Sequence, residues 1–389
     1  MTRLVKRRMR PGTRQDSEVI VDNAHKCFFT RHDLQRMNLF GNSYSSPRMN
    51  VLTAGVLIFG FVGLTAHAQP QPQSSPMAPG PFPNYSPLRN DLAVEWLDRI
   101  SRSARELAYT GVFVHQTADG ASTSRITHLV DKRGVEHEKL ELMDGPLTEI
   151  IRRDEEMTCY KPDSRTVSVD RRATGRFFPS LIAGNARSIA DYYRVKLGNV
   201  ERIAGFDCQW VFLEPKDAMR YMQKLCAEIG SGLLLRAKLF NDRNQMVEQF
   251  MFTQLDVNRS VARQSLKSRY EHSLGWQKQY AVRSAKDTDT GWQVGNLPAG
   301  FKKVMEMTRN LVGRPEPVSH LVYSDGVLSV SVFVESVQTA PNSIMSVLAE
   351  DGPTSFAMRA VADHQVTVMG EVPLAAVQTI ADGVARRTR

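Results

Sequence analysis

About ten short strand-like runs at hairpin spacing fill residues 111–257, and they constrain the fold of this chain more than any other feature. The first six cover 112–114, 126–130, 135–143, 148–152, 157–160 and 166–169. Turn chemistry separates them: Asp119-Gly120, residues 131–134, Asp144-Gly145-Pro146 and Lys161-Pro162-Asp163. Four more follow at 208–213, 220–228, 233–240 and 247–257. Short connections favour antiparallel neighbours, so the pattern predicts one large curved sheet or open barrel. A helical interruption is expected between the two groups, over 177–183 and 189–193.

The facing of these strands says what must cover them. In 233–241 Leu233, Leu235, Ala237 and Leu239 share one face, with Arg236 and Lys238 on the other. In 247–257 both faces are apolar, with Phe250 and Phe252 against Val247, Met251, Leu255 and Val257. Cys208, Trp210 and Phe212 oppose Val211 and Leu213 in the same way. Strands buried on both sides need cover on two faces. An amphipathic helix capped by Asp91 and running to about residue 107, with Leu92, Trp96, Ile100 and Leu107 near helical spacing, supplies one cover. The other face either lines an apolar lumen or is filled by side chains.

Residues 259–286 are polar and mixed in charge and read as a linker. From 287 a second unit begins. It has strands at 301–307, 321–323, 327–334, 354–360 and 364–369, a Ser324-Asp325-Gly326 turn, and a terminal amphipathic helix over 374–385 with Val377, Ile380 and Val384 inward. That makes a small α+β domain.

Upstream, residues 51–66 are almost wholly apolar, follow Arg48, and end at Ala66-His67-Ala68. A basic flank, an apolar run and a small-x-small end make a secretory signal cleaved between Ala68 and Gln69. The run is short for a membrane span. Residues 1–68 are therefore an N-terminal extension plus signal, and 69–88, rich in Pro, Gln and Ser, a disordered leader. Residues 1–48 hold six of the nine net positive charges, which leaves the exported part at +3. The high pI is then no argument for nucleic acid.

Cys208 and Cys226 lie on strands flanking 214–217. If those strands pair about residue 217, the two cysteines oppose each other at about 4.5–5.5 Å between Cβ atoms, close to disulfide reach. The pair either bridges or remains as two buried thiols. His137-Glu138 reads as a solvated strand edge and Asp154-Glu155-Glu156 as a solvated turn. The sequence carries no H-E-x-x-H pair, zinc-spaced cysteines, G-x-S-x-G elbow, P-loop or dinucleotide fingerprint. This favours a binding protein without metal, cofactor or catalytic residues.

Several stretches together resemble the MucB/RseB family. They are residues 142–146, 178–182 (Phe-Pro-Ser-Leu-Ile), Asp191-Tyr192-Tyr193, Arg202-Ile203-Ala204 with Cys208, and 247–250. In the second unit they are Trp292, Leu297-Pro298-x-Gly300-Phe301, residues 321–326 and Gly370-Glu371-Val372-Pro373. The resemblance covers about 90–389, in order. It implies a mainly β fold with helices: a large unclosed antiparallel β-barrel similar to LolA and LolB over 89–258, and a small C-terminal α+β domain over 287–389. It also implies a periplasmic negative regulator of a sigma-E/AlgU-type envelope-stress sigma factor. Such a regulator binds the periplasmic segment of an RseA/MucA-type anti-sigma factor and shields it from site-1 proteolysis. Lipid or lipopolysaccharide fragments release it, and a homo-oligomer is left open. A lipid pocket would be lined by the inner face of the barrel and its helical insert, with Phe178, Leu181, Ile182, Trp210, Phe212, Met222, Phe250 and Phe252 as candidates. The alternative is a periplasmic lipid or lipoprotein carrier, against which the second domain argues.

Overall fold

The computed structural model describes residues 87–170, 178–257, 260–280, 289–309, 316–336 and 347–387. The signal run and the Ala68–Gln69 junction lie outside them. The first element, α1 (Pro87–Glu106), starts four residues before the expected Asp91 cap. A proline at a helix start is preorganised for it and lacks only an N–H that would go unbonded. The buried stripe is Ala93, Leu97, Ile100 and Ala104, not the expected Leu92, Trp96, Ile100 and Leu107. Of those only Ile100 is fully buried. Trp96 and Leu107 are partly buried, and Leu92, one position round the helix from Ala93, is exposed.

Eleven strands follow in the large domain: β1 (Tyr109–Thr117), β2 (Gly120–Val130), β3 (Glu136–Leu142), β4 (Glu149–Arg153), β5 (Glu156–Lys161), β6 (Thr166–Asp170), β7 (Tyr193–Ile203), β8 (Phe206–Pro215), β9 (Met222–Glu228), β10 (Leu234–Phe240) and β11 (Met246–Val257). Helix α2 (Ala186–Tyr192) precedes β7, its start capped by the Asn185 side chain. With β12 (Gln277–Tyr280) they form one sheet in the order β12-β6-β5-β4-β3-β2-β1-β11-β10-β9-β8-β7. The topology is simple. From β1 the chain meanders outward to β6, crosses to the far edge at β7, and meanders back until β11 pairs with β1. The two ends do not meet, so the sheet is unclosed. Helix α1 packs on β2, β7 and β8, over one face.

Several readings of the sequence need correction. No helix forms over 178–183, the described part of the expected 177–183. The helix expected at 189–193 is present as α2 and ends at Tyr192. The strand that follows, β7, with Tyr193, Val195 and Ile203 buried, was not foreseen. His137-Glu138 is not a solvated edge: β3 lies inside the sheet between β2 and β4, and Glu138 is buried. The polar segment after β11 is bound to the large sheet. Leu266 is buried, Ser268 and Arg269 donate to the buried Glu149 carboxylate, and β12 pairs parallel with β6.

The small domain is a six-stranded antiparallel sheet in the order β14-β15-β16-β19-β18-β17. Its strands are β14 (Lys302–Arg309), β15 (Val318–Ser324), β16 (Ser329–Ser336), β17 (Val347–Asp351), β18 (Thr354–Val361) and β19 (His364–Gly370). Helix α3 (Leu374–Gly383) covers one face, and a ribbon of β13 (Trp292–Val294) with β20 (Val384–Arg386) flanks it. Ala376, Val377, Ile380 and Ala381 pack against Val330, Val332, Val366 and Val368.

The two cores meet. Tyr221 and Leu239 of the large domain are buried in the cluster built by the small one, and Val327 of the small domain packs against both.

Candidate functional site

The eight residues expected to line one pocket lie on opposite faces of the sheet. Directly opposed residues of antiparallel neighbours share a face. Val211, Leu225, Ala237 and Phe250 stand in one row across β8 to β11, and Trp210, Cys226, Arg236 and Met251 in the next. Phe250 and Phe252 therefore share the first face. Trp210, Phe212 and Met222 share the second. A strand points successive side chains to opposite sides, so sheet continuity separates the two sets.

The first face carries an aromatic layer. Phe178 enters from the segment before α2 and stacks on Phe250 at 5.6 Å with 8° between planes. Its centroid lies 4.9 Å from Phe252 and 5.3 Å from Phe113. Phe178, Ile182 and Phe252 are each only 1% exposed, while Leu181 and Phe250 are half-buried. Ser101 of α1 donates to the Ile182 carbonyl at 3.1 Å and ties this segment to the helix. At the margin of the layer His115 stacks on Phe250 at 4.3 Å, with its Nε2 2.7 Å from Glu248 Oε1. Burial pushes the His115 pKa below its ordinary 6.5, against the opposing charge of Glu371 in the small domain. Phe113 and His115 were not among the expected residues. Their alternation on β1, opposite Val112 and Val114, was the available signal.

The second face is covered by its own cations. Lys238 Nζ lies 5.6 Å above Trp210, and Lys224 Nζ lies 5.4 Å from Phe212 and 4.5 Å from Phe240. Trp210 Nε1 donates to Glu201 Oε2 at 2.7 Å. Ammonium groups over ring faces are attracted by the ring quadrupole while their stems cover apolar surface. Burial, then Arg236 and Lys224, lowers the Lys238 pKa. On the same face Cys208 and Cys226 are bonded, with Cα atoms 5.4 Å apart. Cys208 stands opposite Glu228, two residues from Cys226, so the bridge runs diagonally across the strand pair.

A third cluster sits where the domains meet. Arg220 and Asp325 are fully buried, with Nε to Oδ2 at 2.9 Å, and the Tyr193 hydroxyl donates to the same oxygen at 2.9 Å. Asp325 Oδ1 accepts the N–H groups of Val327 and Leu328. Arg220 also reaches Asp217 and the Ala299 carbonyl. Burial, then the Asp325 charge, raises the Tyr193 pKa well above 10.0 and keeps it a donor. A second buried pair crosses the same junction, from Arg309 to Asp170 at 3.3 Å.

The MucB/RseB N-terminal domain matches residues 92–270 and the MucB/RseB C-terminal domain matches residues 286–385. The sigma factor AlgU regulatory protein MucB of Pseudomonas aeruginosa is 28% identical over 296 residues, which are 74% of this chain and 89% of that protein. The sigma-E factor regulatory protein RseB of Escherichia coli K12 is 24% identical over 290 residues, again 74% and 89%. The structure of the P. aeruginosa MucA/MucB complex superposes with a TM-score of 0.61 at 27% identity, covering 76% of this chain and 99% of that one. MucB in complex with MucA(peri) gives 0.59 at 26% identity, with 76% and 100% covered. Two domain matches in order, relatives spanning nearly their full length and one shared fold agree: the chain belongs to the MucB/RseB family of regulatory binding proteins, which are not enzymes.

Proposed function

We propose that this protein is a periplasmic negative regulator of an envelope-stress sigma factor. It binds the periplasmic segment of an RseA/MucA-type anti-sigma factor, masks it from site-1 proteolysis, and lets go when a lipid or lipopolysaccharide fragment binds. The observation that carries the reading is the likeness over three quarters of the chain to MucB in complex with MucA(peri). The apolar run before Ala68 accords with export. Lipid enters through the aromatic layer. Phe178, Ile182, Phe250 and Phe252 give an acyl chain an apolar surface, and each buried CH₂ contributes about 0.8 kcal/mol. A ligand shifts the equilibrium only by its preference for the released form.

The test is protection of the anti-sigma segment. The exported chain, mixed with that segment, should block its site-1 cleavage, and a long-chain lipopolysaccharide fragment should restore it. Bulk lipoproteins in place of an anti-sigma factor, captured from envelope extracts, would favour the carrier reading instead. N-terminal sequencing of the exported protein should begin at Gln69.

A further inference from the structure

Seven residues, 178–184, connect the aromatic layer to the domain junction. Phe178 and Ile182 are buried in the layer. Immediately after them, the Ala183 and Gly184 N–H groups both donate to one acceptor in the other domain, the Gly326 carbonyl, at 2.9 and 3.0 Å. The two backbones touch there. A Cβ on Gly184 would stand 2.7 Å from Gly326 Cα, and one on Gly326 would stand 2.6 Å from Gly184 Cα. Gly326 follows Asp325, the buried carboxylate that holds Arg220 and Tyr193.

We propose that residues 178–184 transmit occupancy of the aromatic layer to the domain junction: an acyl chain entering the layer displaces Phe178 and Ile182 and draws the Ala183 and Gly184 N–H groups off Gly326. This rests on the lipid reading above. Close-packed interiors do not admit a chain without moving what fills them. Phe178 is the mobile choice among the rings, because Phe113, Phe250 and Phe252 are held in paired strands and Phe178 is not. Slack is short. Gly184 lies two residues beyond Ile182, and a hydrogen bond at 3.0 Å is lost within about an ångström of stretch. Bare glycine backbones leave no side chain to absorb the shift. The junction then loosens at its Gly326 end, beside the ion pair that fixes the small domain.

Hydrogen–deuterium exchange on the full exported chain, with laurate as the probe and calorimetry to register its binding, decides this. Binding should speed exchange at Ala183 and Gly184 about ten-fold while Leu321, in the middle of β15, stays protected. Laurate that binds and leaves those two amides unchanged or slower overturns the proposal. If laurate does not bind, the lipid reading of the layer fails by itself, and Phe178→Leu decides the transmission. Faster exchange at Ala183 and Gly184 in that variant, without ligand, sustains it, and unchanged exchange overturns it. Ile182→Val serves in the same way should Phe178→Leu not fold.

Discussion

Arg220 and Asp325 are 105 residues apart in the chain and wholly buried together. Removing one partner of such a pair strands a charge in a dry site, which costs about 3–5 kcal/mol. Arg220→Met leaves the carboxylate with only the Tyr193 hydroxyl and two backbone N–H donors, so a loss in that range is expected from denaturant unfolding. Asp325→Asn should cost less. Its amide oxygen still accepts from Val327 and Leu328, and Arg220 keeps Asp217 and the Ala299 carbonyl. The reverse ranking would show that the carboxylate is held by something other than Arg220. His320 gives a pH-dependent term. It is buried, stacks on Phe333 at 4.2 Å and lies 3.2 Å from Ser331 Oγ. Burial, then the Arg309 charge, holds its pKa well below 6.5. Above pH 6.5 the ring is neutral in both folded and unfolded chains. Below it the unfolded chain takes up a proton that the folded one refuses, so stability falls with pH until the depressed folded value is passed. His320→Gln should flatten stability against pH between 6.5 and about 5.5. None of this was legible beforehand. Asp325 reads as a hairpin residue, and it does cap that turn, but nothing local reveals its distant cation.

At the scale of elements, period-two alternation made most strands visible, because each buries one row of side chains against a helix or core. Where both rows are apolar, alternation loses its power to assign faces. Phe250 and Trp210 were grouped as one lining for that reason, and only the register of β8 through β11 separates them. Symmetry about residue 217 placed Cys208 opposite Cys226. The observed partner is Glu228, a shift of two. Such a shift keeps every side chain on its face, which is why the cysteines still meet diagonally. The bridge closes a separation of 18 residues, and cross-linking such a loop contributes about 3 kcal/mol by restricting the unfolded chain. Joint replacement Cys208→Ser and Cys226→Ser should lower unfolding stability by about that amount while leaving Lys224 and Lys238 over their rings. Equal stability of the replaced and bridged chains would mean the strand pair needs no staple. Strand β7 was obscured by Asp191-Tyr192-Tyr193, where a helix hands over to a strand without a glycine or proline to mark the change.

The whole molecule behaves as more than two domains on a tether. Composition and turn chemistry read as a large β unit, a polar stretch and a small α+β unit. The large sheet and a smaller separate sheet are there, and the polar stretch joins the large one through β12. What they concealed is how the units are joined. The junction is built from residues that look ordinary in sequence: a turn aspartate, two glycines, and Tyr221 just ahead of a strand. Two buried ion pairs cross it, Arg220 with Asp325 and Arg309 with Asp170. Tyr221 and Leu239 complete the small-domain core from the other side, and burial of each such side chain contributes about 1.5–3 kcal/mol. A linker is then not what holds the units together. A protease site placed between Lys286 and Asp287 tests this directly. After cleavage the two pieces should remain associated through gel filtration, unfold in one calorimetric transition, and still protect the anti-sigma segment. Arg220→Met combined with Asp170→Leu should let the cleaved pieces part, and protection should fall because two modules bind together best when geometry fixes one against the other. Pieces that separate as soon as the chain is cut would make the tether, and not the buried junction, the source of that geometry.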